Sequence, residues 1–153
     1  MKRLLSIFMT AAIFLLSGCG SSEGNNTDKT AEQLMEVVLN SVQFPQMIDL
    51  DDDERIEEMG IDLSLAEDHA VSQQMLSVDV CEVIIIKAEQ DNIPRILDSL
   101  ETRRESLIND FAFYPEQVES AEATVVGSEK DVAYLICHAE ADTAEEKLLA
   151  ELK

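Results

Sequence analysis

Tryptophan is absent from this 153-residue chain, and Phe, Trp and Tyr together make up only 5% of it. A platform for stacking sugars or nucleic-acid bases needs such rings, so binding of that kind is poorly supported. Basic residues are also scarce, since 11 Lys and Arg stand against 32 Asp and Glu, a formal net charge of −21. Such a chain repels nucleic acids and anionic lipid headgroups. Its field could attract cations or basic proteins, and the alternative is an acidic surface that only keeps the chain solvated. The composition therefore excludes a nucleic-acid partner.

The motifs of the common enzyme classes are missing as well. The sequence contains no serine-hydrolase elbow, Walker phosphate loop, dinucleotide-binding glycine pattern or HExxH zinc motif. Carboxylates are so abundant that a glycosidase pair cannot be picked out by inspection. We therefore predict no catalytic residue, no cofactor and no cofactor-binding residue, which favours a protein that is not an enzyme.

The long apolar run at residues 4–16 is too short for a membrane-spanning helix, which needs roughly 20 residues. Lys2 and Arg3 precede it, and the small residues of the sequence LSGC at 16–19 follow it. This order is typical of a lipoprotein signal peptide, with cleavage before Cys19 and alkylation of that thiol by a diacylglycerol, whose fatty acids include palmitate. We expect the chain to be held by Cys19 on the outer face of the cell membrane. An ordinary secretory signal with a coincidental cysteine is the alternative.

Three segments follow from this interpretation. Residues 1–18 are the signal peptide, and residues 19–29 are the lipidated N-terminus and a flexible tether, because 20–29 contain no apolar side chain that could repay the cost of ordering. Residues 30–153 form a single acidic domain of a size that suits one modest core.

Apolar periodicity predicts the elements of that domain. Thr30 and Gln33 form a capping box before a first helix, and a short helix ending at Gly60 follows the acidic residues 51–53. The β-branched run at 83–86 predicts a central strand, preceded by a weaker strand candidate at 71–76.

A long helix is predicted from about residue 92 to Phe111, with Arg104 in its apolar stripe and Arg103 on a solvated face. Two strands at 121–126 and 131–137 then form a hairpin through the loop at 127–130, and a final helix completes the chain. The fold class is α+β: a mostly antiparallel four-stranded sheet, with the long crossover helix and the C-terminal helix on one face, preceded by N-terminal helices.

Few residues have the spacing of a metal site. Asp49, Asp51 and Asp53 resemble the start of an EF-hand loop, but position six is Glu54 and position twelve is Gly60, so the rest of the pattern fails. They remain weak candidates for a cation site, against an acidic turn that caps a helix. His69 and His138 are the two histidines, and zinc would need three or four convergent ligands. Neighbouring strand residues point opposite ways, so Cys137 and His138 would not share a zinc ion, and we expect a satisfied surface or strand-end histidine instead.

Cys81 and Cys137 are the cysteines left once Cys19 carries lipid. Outside the membrane they could form a disulfide. Both lie in apolar, strand-like stretches, so the alternative is a pair of buried small hydrophobic side chains. Spacing alone does not decide between these alternatives.

Four stretches of the chain resemble one family. They are residues 42–47 (VQFPQM) with the acidic residues that follow, the turn at 60–62, the strand at 82–88, and 111–115 leading into the hairpin at 125–126. Together they are similar to a family of small lipoproteins from Gram-positive bacteria that carries a domain of unknown function, family 4358. The resemblance implies a lipid anchor and one small domain, and it supplies no catalytic or binding residues. Cys81 and Cys137 depart from the family pattern.

The preferred hypothesis is a non-enzymatic binding or accessory lipoprotein, with a membrane contact through Cys19 and a protein, peptide or cation as partner. Anchor, tether and small acidic domain without a catalytic motif favour it. The alternative is a cell-envelope hydrolase that uses carboxylates the sequence does not reveal.

Overall fold

Residues 26–76 and 79–153 are described by the computed structural model. The predicted signal peptide and Cys19 lie outside these residues. Helices and strands are interleaved along the described chain: α1 Ala31–Leu39, β1 Met47–Asp49, α2 Asp53–Glu58, a 3₁₀ turn Leu63–Leu65, β2 Asp68–Gln74, β3 Glu82–Lys87, α3 Ile93–Ser106, a π-helix Leu107–Phe111, α4 Pro115–Glu122, β4 Val125–Glu129, β5 Val132–Cys137 and α5 Ala141–Leu152.

The strands form one sheet in the order β1-β2-β3-β5-β4, and all neighbouring strands are antiparallel. The predicted α+β class with an antiparallel sheet is confirmed, but the sheet has five strands rather than four. The missed strand is β1, which is only three residues long and pairs with β2 from Met47 opposite Gln74 to Asp49 opposite Ser72. So short a segment has no alternating pattern of its own, and its pairing with β2 makes it a strand.

The central strand β3 separates two layers of core. Ile84, Ile85 and Ile86 are fully buried, and burial of each such side chain contributes about 1.5–3 kcal/mol. Because side chains alternate along a strand, Ile84 and Ile86 pack with α3, whereas Ile85 packs with α1 and α5. The prediction that the crossover helix and the C-terminal helix share one face is therefore wrong. Both faces of β3 are apolar, so each face needs its own helical cover.

The chain crosses over between β3 and β4, which are parallel to each other and separated by β5. The predicted long helix is shorter than expected, since α3 ends at Ser106 and a π-helix covers Leu107–Phe111. The wider turn keeps Leu107 buried and leaves Phe111 exposed. The separate helix α4 then occupies residues predicted to begin a strand.

The hairpin turns later than predicted. Gly127 lies inside β4, opposite Tyr134, and the turn is at Lys130, whose φ is +54°. A Cβ atom on Gly127 would clash with the Tyr134 ring, so this glycine is required for close packing rather than for the turn.

Local capping signals, in contrast, are confirmed. Thr30 and Gln33 form the predicted reciprocal capping box at the start of α1. The Asp52 side chain accepts a hydrogen bond from the backbone N–H of Arg55 and caps α2. Gly60, with φ of +89°, follows that helix in a left-handed conformation that favours glycine.

The chain before α1 is fastened to one end of the sheet. The backbone N–H of Thr27 donates to Oδ1 of Asp131 at 2.7 Å, and the Lys87 ammonium donates to the carbonyls of Thr27 at 3.0 Å and Lys29 at 2.7 Å. The last residues assigned to the tether thus contact the domain. Among the residues described, no helix combines the length and apolar character needed to cross a membrane.

Candidate functional site: an acidic cleft

A cleft of about 580 Å³ lies between α1, the segment around β1 and the first half of β2. We call it the acidic cleft, because six carboxylates line it: Glu32, Glu36, Asp49, Asp51, Asp53 and Asp68. Helix α1 presents Glu32 and Glu36 one turn apart on one side. The other side comes from the acidic run after β1. The fold thus brings together acids that are separated by more than thirty positions in the sequence.

The floor of the cleft is apolar. It is formed by side chains from α1, the residue after β1 and β2: Met35, Leu39, Leu50, Ala70 and Val71. Leu50 and Val71 are buried, so this floor is continuous with the core. A surface with carboxylates around an apolar floor suits a ligand that has cationic heads on apolar stems, as lysine and arginine side chains do.

Two of the acidic side chains are fixed by partners. Oδ2 of Asp68 accepts a hydrogen bond from the backbone N–H of Ala31 at 2.7 Å, next to the start of α1. Oδ1 of Asp53 lies 3.3 Å from Nε2 of His69. Glu32, Glu36, Asp49 and Asp51 are in residues exposed to solvent. The cleft therefore combines two carboxylates that have partners in the domain with four others that are exposed to solvent.

The weak cation-site candidates Asp49, Asp51 and Asp53 do line one cleft. Within residues 26–76 and 79–153, however, no group of three or more His, Cys, Asp and Glu side chains is arranged to hold a metal ion. Asp52, between two of the candidates, caps α2 instead. The arrangement suits positive charges distributed over a ligand better than a single compact ion.

The two remaining predicted site residues, Cys81 and Cys137, are free and buried. The disulfide alternative is therefore not adopted in the structure, and both act as small buried side chains. Sγ of Cys137 donates to the backbone carbonyl of Val80 at 2.8 Å. Burial raises the pKa of each thiol to about 12, and the charge of Asp79 adds to this effect at Cys81. A thiol that stays protonated at neutral pH is a poor nucleophile and metal ligand.

His138 is the satisfied strand-end histidine expected from the sequence. Its ring is buried 4.6 Å from the Phe44 ring, between centroids. Nδ1 accepts a hydrogen bond from the backbone N–H of Glu140 at 3.0 Å, and Nε2 lies 3.3 Å from the carbonyl oxygen of Gln43. Both ring nitrogens are thus engaged in tying the end of β5 to the segment after α1.

Sequence reasoning missed a buried ion pair on the opposite part of the domain. Arg103 donates from Nε to Oε1 of Glu82 at 2.9 Å and from its terminal nitrogen to Oε2 at 2.7 Å. Burial opposes the charge of Arg103, but its hydrogen bonds with Glu82 and the Glu82 charge raise its pKa overall. Arg103 was expected on a solvated face, and the prediction was wrong. The available signal was Glu82, a charge at the start of an otherwise apolar strand.

Comparison with known families gives one match. Residues 40–138, about two thirds of the chain, match the family described as "Domain of unknown function (DUF4358)". Comparisons with curated proteins and with solved structures give no match. The matched region includes the β1 side of the acidic cleft and both members of the buried ion pair, and α1 lies wholly before it.

Proposed function

This chain belongs to the DUF4358 family, a domain of unknown function, and we propose that it is a membrane-anchored surface lipoprotein that works as a non-enzymatic binding module. Its anchor is the lipid on Cys19, its location is the outer face of the cell membrane of a Gram-positive bacterium, and its ligand is a cationic peptide segment of a protein. The observation that carries the binding proposal is the acidic cleft, where six carboxylates surround an apolar floor.

The physical basis is electrostatic. Each exposed ion pair contributes only about 0.2–1 kcal/mol, so one carboxylate alone would hold little. Several carboxylates around one cleft add their fields, and the net charge of −21 steers a basic ligand toward the domain. The apolar floor then covers the methylene stems of the bound lysines, which a purely polar surface would not do.

The anchor is tested by metabolic labelling with palmitate and by fractionation of cells. The wild-type chain should carry the label and sediment with membranes, whereas Cys19→Ala should do neither. Cys81→Ala is the matched control, because it removes a cysteine that is buried in the domain, and it should label like the wild type. Labelling of the C19A variant would contradict the anchor.

The ligand class is tested with a fluorescent tetralysine peptide, by anisotropy at low salt. Replacing Glu36, Asp49 and Asp51 by their amides should weaken binding about tenfold, from the loss of three attractions of about 0.5 kcal/mol each. The control variant replaces three exposed acids elsewhere, Glu105→Gln, Glu122→Gln and Glu146→Gln, and changes the net charge equally.

Equal weakening in both variants would show that only the overall field attracts the peptide, and would contradict a binding role for the cleft. An activity on cell-envelope substrates that a single Asp or Glu substitution abolishes would instead favour the hydrolase alternative.

A further inference from the structure

The exposed apolar side chains of this domain are concentrated at one corner. Among the described residues, the large hydrophobic side chains left exposed are Met75 (44%), Leu76 (59%), Phe111 (47%), Phe113 (75%) and Tyr114 (66%). We call this set the apolar corner. Single exposed apolar residues are ordinary, but a contiguous group of them marks an interaction surface.

Two members of the corner line one cavity. Met75 and Phe111 line a cavity of about 300 Å³ together with Gln117. The side-chain oxygen of Gln117 accepts hydrogen bonds from the backbone N–H groups of Phe113 at 3.0 Å and Tyr114 at 3.2 Å. The aromatic segment is therefore held at the rim of the cavity. Aromatic, methionine and arginine side chains are the types enriched at protein interfaces.

The cavity is lined by two acidic and two basic side chains, whose formal charges cancel. Glu82 and Arg103 form the buried bidentate pair, and the Arg103 guanidinium lies 5.1 Å from the Phe111 ring centroid. Asp79 and Arg55 also line the cavity and carry opposite charges. In a chain of net charge −21, this cavity thus lacks an acidic excess. It suits apolar anchors, while the surrounding acidic surface favours basic residues beside them.

The charge of the chain argues against the membrane as the occupant of the corner, because a net charge of −21 repels anionic lipid headgroups. The N-terminal segment is fastened at Asp131 and Lys87, at the end of the sheet where β3 finishes. The cavity is lined by Glu82, where β3 begins. The length of the strand, about 17–20 Å, separates the two ends. If Cys19 carries the anchor, the chain reaches the domain at the end of β3 that lies opposite the corner. A second copy of this chain is disfavoured by the repulsion between two domains of the same large charge.

We propose that the apolar corner is a docking surface for a segment of a partner protein that has aliphatic or aromatic anchor side chains flanked by basic residues. The anchors enter the cavity above the Glu82–Arg103 pair and contact Phe111 and Met75. The exposed rings of Phe113 and Tyr114 cover them. This inference goes beyond the proposed function and does not depend on the lipid anchor.

The partner chemistry is tested by selecting peptides from a displayed random 12-residue library against the full chain, reconstituted in phosphatidylcholine nanodiscs. The selected consensus should contain one or two aliphatic or aromatic anchors beside Lys or Arg. A selected peptide should bind the double variant Leu76→Ser, Phe113→Ser at least about tenfold more weakly, as expected when exposed anchors of an interface are truncated. Both side chains are largely exposed, so circular dichroism of this variant should match the wild type.

Tyr114→Phe is the conservative control, because it keeps the ring, and it should bind within about twofold of the wild type. Replacing Glu36, Asp49 and Asp51 in the acidic cleft should also leave binding within about threefold, since only the long-range field changes. Peptides without apolar anchors, or equal affinity for the L76S/F113S variant, would overturn the proposal.

A nitroxide label at Phe113→Cys tests the other occupants. The buried thiols of Cys81 and Cys137 should not react, so the label reports on position 113. Strong relaxation by a water-soluble nickel chelate is expected. Protection from the chelate together with high oxygen accessibility would place the corner in the bilayer, and spin-spin broadening between copies would indicate a dimer. Either result would overturn the proposal. If Cys19 carries no lipid, it labels as well, so mass spectrometry separates failure of the anchor from failure of the docking surface.

Discussion

The acidic cleft and the apolar corner occupy the two halves of the same edge of the sheet. The first half of β2 lines the acidic cleft, and its second half lines the cavity at the apolar corner. In the adjacent strand β1, Asp49 lines the cleft and Ile48 lines the cavity. In the cleft, charge lies on the outside and the apolar floor is covered. At the corner, the charged pair lies beneath and the apolar side chains are outside. Charged side chains are therefore hydrated in the cleft and buried at the corner, whereas apolar side chains are buried in the cleft and exposed at the corner.

The difference teaches which charges stabilise the fold. A charge in the cleft keeps much of its hydration, so its loss should affect ligand binding more than stability. A charge beneath the corner has lost its water and depends on its partner. The cleft also lies near the fastened N-terminus, since Asp68 pairs with Lys87 in the sheet, whereas the corner is at the other end.

The largest expected effect is on the buried pair. Arg103→Met leaves the Glu82 carboxylate buried without its partner, and should lower the free energy of unfolding by about 3–5 kcal/mol. Arg104→Met is the control, because the neighbouring Arg104 forms a half-exposed pair with Glu101, and it should cost under about 1 kcal/mol. Urea denaturation measures both. Similar losses in the two variants would remove the distinction between buried and exposed charge.

The second prediction concerns the thiols next to the buried pair. The pKa of Cys81 and of Cys137 is raised from 9.0 to about 12 in the folded chain, so the folded state holds both protons longer than the unfolded state. Their stabilising contribution is complete below about pH 9 and is lost as the pH rises toward 12, at about 1.4 kcal/mol per pH unit for each thiol.

Unfolding free energies measured at pH 8, 9 and 10 should therefore fall more steeply for the wild type than for a Cys81→Ala, Cys137→Ala variant above pH 9, and run parallel below it. A double variant with the same alkaline slope as the wild type would contradict the burial of the thiols.

A smaller effect is expected at Gly60, which follows α2. In that helix Asp53 lines the acidic cleft and Arg55 lines the cavity at the apolar corner. Gly60→Ala places a side chain at φ of +89° and should cost about 1 kcal/mol of stability. Gly60→Asn should cost less, because asparagine tolerates the left-handed region better. Thermal unfolding of the three proteins gives the order, and an alanine variant as stable as the wild type would show that α2 can end differently.

The smallest effect is expected in the cleft itself. Asp53→Asn removes the charge that faces His69, on an exposed side chain, and should change the free energy of unfolding by less than about 1 kcal/mol. Chemical denaturation measures it beside Arg103→Met. A loss comparable to that of the buried pair would mean that the cleft is a structural ion network rather than a binding surface.

Much of the local structure was predictable because it depends on neighbouring residues. The Thr30–Gln33 capping box and the Gly60 stop act within a few positions and are found as expected, and one of the three acidic residues at 51–53, Asp52, caps α2. The candidate site was predicted only in part. The acids at 49, 51 and 53 were identified from spacing, but Glu32 and Glu36 join them through the packing of α1.

Arg103 and Arg104 show most directly what could not be predicted from the sequence. They are adjacent and chemically identical, and the helical stripe alone favoured the wrong one. Glu82, 21 positions earlier in the chain, accepts both hydrogen bonds from Arg103 and makes its burial favourable. No local propensity contains that information, because it depends on which face of α3 meets the start of β3.

The sequence by itself determined the acidic character, the caps and the central β-branched strand, since these follow from composition and short-range chemistry, and it predicts a lipid anchor at Cys19. Tertiary structure alone decided the fifth strand, the opposite faces of α3 and α5, the close packing at Gly127 and the gathering of the six cleft carboxylates. The physical reason is that pairing and burial are properties of two distant segments together. Each segment contributes one side of a strand pairing or a buried contact, and its own sequence does not identify the segment that contributes the other side.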